Sequence, residues 1–484
     1  MSRWSRVLRR LIAPKGPAEV SRVIVGSTGS GKSEGELVDL VRLAERGDCA
    51  VVLLDGHGPL AFAAAGHWAA RGHEGRLVYE PLDATDSVLA WDMLPRSAAA
   101  DPRRRRLEDA QTREDVAQCF MAQRNLGTLA DKPWTREWLD AALALCLSQP
   151  GPEPLTSLLS AFRPRTPDYE RLLRGCRHPD VAAKFAGLER TKRRNEVQYE
   201  TLTGASRRLV ELVCDSEVVR LRARPGPFDW LDALRARRLV ALDGGAIRAR
   251  EVKRTLFLLA SMQVIHAVRR HFAETRNPLP VVLVLEEAGA LGLVTPFVLA
   301  ALQELRKAGL AIHLLTQSCL DFGDPALFES VLANAPWQCW YQVLSPADQE
   351  LGGRALTNAA FDARAVQFTR VRAVPEDESL TSPWHTRVRQ VIDPYYKSPA
   401  LQEQEFRTRL ATLRVGERLV RDRRGVRRER VRMLRPPTGF ADATRVAIAR
   451  VRRQPLYLPP PPEPPPAPSA EAAARLRERT DPPC

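Results

Sequence analysis

Two kinds of hydrophobic pattern alternate along this chain. Short continuous apolar runs end in small or acidic residues, as in Val23-Ile24-Val25, CAVVLLDGHG (49–58), RRLVALDGG (237–245), PVVLVLEEAG (280–289) and LAIHLLTQS (310–318). Between them lie stretches whose apolar positions recur at helical spacing, such as Leu37, Val38, Leu40, Val41 and Ala44. Further strands are predicted at Gly75–Tyr79 and at NAPWQCWYQV (334–343), and helices from Ala249 to about Arg270 and from Leu299 to Ala308. This rhythm predicts an α/β fold built on a parallel-rich sheet covered by helices.

The rhythm stops between residues 101 and 236. DPRRRRLEDAQTREDVAQCFMAQR opens a charged region, followed by helical patterns at 135–149 and 188–213. No strand pattern interrupts them, so an all-helical insertion divides the α/β unit. The expected organisation is a basic arm (1–20), a first α/β part (21–100), the insertion (101–236), a second α/β part (237–435) and a tail (436–484). The second part ends in RVGERLVRDRRGVRRERVRML (414–434), whose alternation about an Arg-Arg-Gly turn predicts a hairpin. Pro455 to Pro468 contains nine prolines, which favours an extended polyproline segment.

The first strand runs into GSTGSGKS, comprising Gly26, Ser27, Thr28, Gly29, Ser30, Gly31, Lys32 and Ser33. This is a complete phosphate-binding loop in its proper setting, strand before and helix after. Small residues let backbone N–H groups wrap phosphates, and the helix N-terminus adds its positive end. Lys32 reaches the β- and γ-phosphates in such loops, and the Ser33 hydroxyl holds Mg²⁺. ATP and Mg²⁺ are the expected ligands.

The strand VVLVL ends on Glu286 and Glu287. Carboxylates at the C-terminal tip of a parallel strand lie where such sheets bind ligands. Glu286 is assigned to the metal shell, and Glu287 to orienting or deprotonating a water. Gln317 ends the next apolar strand and is placed to sense a γ-phosphate. Arg306, eleven residues earlier, is a candidate arginine finger for a neighbouring subunit.

Charge extends this picture. A formal net charge of +15 favours a polyanionic partner. Candidate contacts are Arg103–Arg106, Arg193–Arg194, Arg207–Arg208 and the sixteen arginines between Arg407 and Arg453. The eight cysteines are scattered without a C-x-x-C pair, and suit reduced core positions in a cytosolic protein. No run of about twenty apolar residues predicts a membrane span. The opening MSRWSRVLRRLIAPK interleaves basic and apolar residues and would suit a membrane surface, a partner or a domain cap.

Taken together, GSTGSGKS, LLDGHG, LVLEEAG and LRKAGLAIHLLTQS resemble the HerA/FtsK-type motor ATPases, and within them the conjugative DNA-transfer ATPases, the type IV coupling proteins. The resemblance spans roughly residues 20–435. It implies a RecA-like P-loop NTPase domain interrupted by an all-helical domain, a homo-oligomeric, hexameric ring with nucleotide between subunits, and DNA in the central channel. It also implies a membrane-bound secretion partner and a cytoplasmic site at the inner face of the membrane. Two departures stand out. Coupling proteins carry N-terminal membrane helices, and their acidic motif is Asp-Glu rather than Glu286-Glu287. The second departure leaves a HerA-like DNA-processing or packaging motor as an alternative. A nucleotide-gated scaffold that recruits protein is a third reading.

Overall fold

The structure, a computed structural model, describes residues 20–97, 101–122, 132–224, 226–375 and 388–459. Most of the basic arm and the end of the Pro-rich tail lie outside the described residues.

The apolar runs form strands β1 (Arg22–Val25), β2 (Ala50–Asp55), β3 (Leu77–Pro81), β4 (Val88–Leu89), β5 (Leu239–Asp243), β6 (Val281–Leu285), β7 (Leu310–Thr316) and β8 (Trp337–Trp340). The remaining strands are β9 (Val366–Pro375), β10 (Val388–Tyr396), β11 (Glu417–Asp422), β12 (Gly425–Arg430) and β13 (Tyr457–Leu458). Nine of them make one sheet in the order β12-β11-β8-β1-β7-β6-β2-β5-β3. The seven strands from β8 to β3 run parallel. The hairpin β11–β12 adds antiparallel at one edge. Strands β1, β2, β6 and β7 are buried along their whole length. Burial on both faces is why they read as unbroken apolar runs rather than alternating ones.

Between β4 and β5 the described residues form helices only, beginning with Pro102–Met121 and ending with Trp230–Arg235. The pattern at 188–213 is two helices, Pro179–Arg194 and Glu196–Cys214. They break at Asn195, whose backbone is extended and whose side chain accepts from Gln198 N at 3.0 Å, an N-cap that starts a new helix. The long helix Arg250–Thr275 packs on β6 and on helix Pro102–Met121, tying the helical segment to the sheet.

Part of the expected tail is folded. Helix Phe440–Val451 buries Thr444, Ala447 and Val451 against helix Pro59–Ala70, and Phe440 lies 4.6 Å from the His67 ring. Gly66 is the residue that permits this approach, since a Cβ there would collide with Thr444 and Phe440. Tyr457, at the start of the proline run, exchanges two 2.9 Å hydrogen bonds with the backbone of Tyr79. The extended tail therefore begins later than position 436, because 440–451 has an apolar helical face to bury.

No helix among the described residues is long and apolar enough to cross a membrane.

Candidate nucleotide site

Parallel register sets the site. Leu54 pairs with Leu285, so Asp55 and Glu286 emerge side by side at the tips of β2 and β6. Val25 pairs with Thr316, so the loop after β1 and Gln317 after β7 leave the sheet at the same edge.

The loop is fastened to its neighbours. Gly26 N donates to Thr316 O at 3.2 Å, and Ser27 N donates to Gln342 O at 2.9 Å. Gly31 has φ 91°, and a Cβ there would lie 2.9 Å from Gly416 N, so both conformation and space call for glycine. Helix Lys32–Arg46 follows with no side-chain cap, leaving its first N–H groups facing the loop. Lys32 is buried at 7% exposure, with no carboxylate at ion-pair distance among the described residues. The Ser30 hydroxyl is buried without a hydrogen-bond partner among the described residues. A buried cation, an orphaned hydroxyl and uncapped N–H groups together form a cradle for anionic oxygens.

Ser33 Oγ donates to Glu286 Oε1 at 2.8 Å. Burial first, then the hydrogen bond and charge of Asp55, pushes the Glu286 carboxyl up to about 9, against the pull of Ser33 and Lys32. Asp55 sits below its ordinary value. Burial opposes that shift, but the Glu286 contact and backbone N–H donors from residues including Ala61 and His57 outweigh it. Two carboxyls in contact need a proton or a cation between them. Glu286 Oε2 is buried and meets no hydrogen-bond donor among the described residues. Ser33, Glu286 and Asp55 form an all-oxygen donor set, the chemistry that suits Mg²⁺.

Glu287 is 5% exposed and has φ 57°. Non-glycine residues in this region cost energy and concentrate at functional sites. Its Oε1 accepts from Gln317 Nε2 at 2.7 Å and lies 3.3 Å from His57 Nε2. Gln317 Oε1 in turn accepts from Thr28 Oγ1 at 2.7 Å. A continuous side-chain chain thus runs from the phosphate loop through Gln317 to Glu287 and His57.

The loop residues, Glu286, Glu287 and Gln317 therefore converge. Arg306 does not. It is exposed in the turn before β7, at the opposite end of that strand from Gln317. The basic clusters are partly neutralised: Arg104 pairs with Glu108, Arg193 with Glu189, and Arg207 with Glu200 and Glu211. Among the described cysteines all are buried except the half-buried Cys176.

Sequence reasoning passed over Asp55 and His57. The signal was present, since LLDGHG is an apolar strand with polar residues at its tip. Their relevance depends on β2 lying beside β6, which the sequence order does not reveal.

This fold is that of a RecA-like P-loop nucleoside triphosphatase. Among solved structures it is similar to the bacterial conjugative coupling protein TrwB in its unbound form, at 14% identity over 89% of this chain and 91% of that chain, with a TM-score of 0.54. Plasmid coupling protein TrwB in complex with ADP and Mg²⁺ matches at 13% identity over 94% and 95%, with a TM-score of 0.54. The complex of TrwB with the non-hydrolysable GTP analogue GDPNP matches at 13% identity over 89% and 92%, also at 0.54. At such identity the likeness is one of fold. No protein-family model matches the chain, and no curated protein matches it by sequence.

Proposed function

We propose that this chain is a Mg²⁺-dependent ATPase that moves DNA in a conjugative, type IV secretion-like transfer system. The observation that carries this reading is the Thr28–Gln317–Glu287 chain, which joins the phosphate loop to an acid at the adjacent strand tips. TrwB, a conjugative coupling protein of the same fold, has been solved in complex with ADP and Mg²⁺. Supporting a nucleic-acid partner is the net charge of +15.

In this reading Lys32 and the N–H groups of 26–33 hold the β- and γ-phosphates. Ser33 and Glu286, with Asp55 beside them, hold Mg²⁺, which neutralises charge on the phosphate oxygens. Glu287 orients the attacking water and takes its proton. Gln317 reports the γ-phosphate to the loop after β7. Arg306 acts across subunits of a homo-oligomeric, hexameric ring. Residues 101–236 serve as an all-helical inserted domain, and the ring works at the inner face of the membrane beside a membrane-bound secretion partner.

The test is ATP hydrolysis with and without DNA, for the natural chain and Glu287→Gln. The proposal expects DNA-stimulated turnover that the variant loses. Turnover indifferent to DNA would favour the scaffold reading.

A further inference from the structure

The turn after β2 is anchored through its backbone. Asp55 Oδ1 accepts from His57 N at 2.9 Å, and Asp55 Oδ2 accepts from Ala61 N at 2.8 Å. Lys253 donates to the Gly56 carbonyl at 2.6 Å. The His57 carbonyl packs against Gly245, which Asp243 Oδ1 holds through its N–H at 2.8 Å. Two strand tips and the helix Arg250–Thr275 therefore fix the turn that carries His57, while its side chain remains 60% exposed.

That exposed ring still meets a buried partner. His57 Nε2 and Gln317 Nε2 converge on the same oxygen, Glu287 Oε1. Oε2 has no hydrogen-bond partner among the described residues. Gln317 Nε2 donates a hydrogen bond to Oε1 and the His57 ring stands 3.3 Å from the same oxygen, so Oε2 is the oxygen left open to a water. An exposed ring adds little to core packing, so the contact bears on orientation more than on stability.

We propose that His57 is a positioning residue of the hydrolytic site, pinning Glu287 Oε1 together with Gln317 and so aiming Glu287 Oε2 at the attacking water. The inference rests on the ATPase reading above. It adds a second role for LLDGHG, beyond that of Asp55 beside Glu286.

The test uses the full chain. Steady-state ATP hydrolysis with and without DNA is measured for the natural chain, His57→Ala, His57→Asn, His57→Gln and Glu287→Gln. Binding of a fluorescent ATP analogue and the thermal unfolding midpoint are measured in parallel. His57→Ala and the short-armed His57→Asn are expected to lower kcat by roughly tenfold or more, with KM, analogue affinity and midpoint unmoved. His57→Gln, whose amide N–H reaches as far as the ring, is expected to recover most of the loss. If one truncation does not fold, the other carries the comparison. An unchanged kcat in the truncated variants, a loss confined to KM or binding, or no recovery with Gln would overturn the inference while leaving the ATPase reading intact. Glu287→Gln turning over as fast as the natural chain would likewise overturn the inference, and a natural chain that hydrolyses no ATP would overturn both.

Discussion

Two polar networks flank the helix that follows the phosphate loop, and they are built to opposite rules. Beneath that helix, Arg22 pairs with Glu36 and with Asp39 at 2.6 Å, and His313 Nδ1 meets Glu36 Oε1 at 2.7 Å. The side chains of Arg22, Glu36 and His313 are fully buried. Arg418 of β11 joins from the far side, contacting Asp39 and Glu429 and so fastening the edge hairpin to the core. At the strand tips, by contrast, Glu287 is held in a strained backbone, Glu286 has an unpartnered oxygen, and His57 lies open to solvent. The lower network pairs its buried charges with one another, although Arg22 Nε and His313 Nε2 have no hydrogen-bond partner among the described residues. The upper one instead leaves charged groups open at the strand tips, where a ligand can complete them. In the proposed reading the first network serves stability and the second serves chemistry.

This division can be broken experimentally. The largest effect is expected for Glu287→Gln: kcat falls by about a thousandfold, as removal of a general base typically costs, while nucleotide binding and the urea midpoint hold. Turnover at the natural rate would mean that another group positions the water. Next is Glu36→Gln, which breaks a buried ion pair and leaves Arg22 under-neutralised. Urea unfolding should show a loss of about 3 kcal/mol, with turnover retained in the folded fraction. Lys32→Ala removes the cation of the cradle and should weaken ATP affinity by about 2–3 kcal/mol, read by calorimetry. Retained affinity would sink the phosphate-loop assignment. Gln317→Ala, which severs the link between Thr28 and Glu287, should slow turnover by roughly tenfold with little change in binding.

The lower network also sets a pH signature. Burial alone would raise the Glu36 carboxyl, but Arg22 and His313 bring it down from 4.5 to about 2. Burial and the Arg22 charge likewise hold His313 below its ordinary 6.5. Both groups thus have folded values depressed below unfolded ones. Each contributes stability that is present above the unfolded value and is lost on acidification. Stability should therefore decline first below about pH 6.5, from His313, and again from about 4.5 towards 2, from Glu36. Unfolding midpoints of the natural chain and Glu36→Gln across this range would separate the two stages, since the variant keeps only the first.

The contrast also explains what the sequence made legible. That GSTGSGKS, Glu286-Glu287 and Gln317 come together at one sheet edge was readable, because buried parallel strands are continuous apolar runs and these residues sit at their ends. Asp55 and His57 were not, because their partners are neighbours in the sheet and distant in the chain. The same holds for the lower network, where Arg22, Glu36 and His313 look like ordinary surface residues until three elements bury them together. Asn195 was hidden by a helical pattern that continues across it, and helix 440–451 by the prolines that follow. The hairpin β9–β10 was missed for a further reason. Its residues from Val366 to Arg372 are exposed, so no apolar face patterns the strand.

The most direct measurement pairs ATP turnover with the urea unfolding midpoint for Glu287→Gln and Glu36→Gln beside the natural chain. The prediction is a crossed result: Glu287→Gln keeps its midpoint and loses turnover, while Glu36→Gln loses midpoint and keeps turnover per folded molecule. If Glu287→Gln fell in stability while still hydrolysing ATP, the strand-tip network would be structural and the account of this site would be wrong.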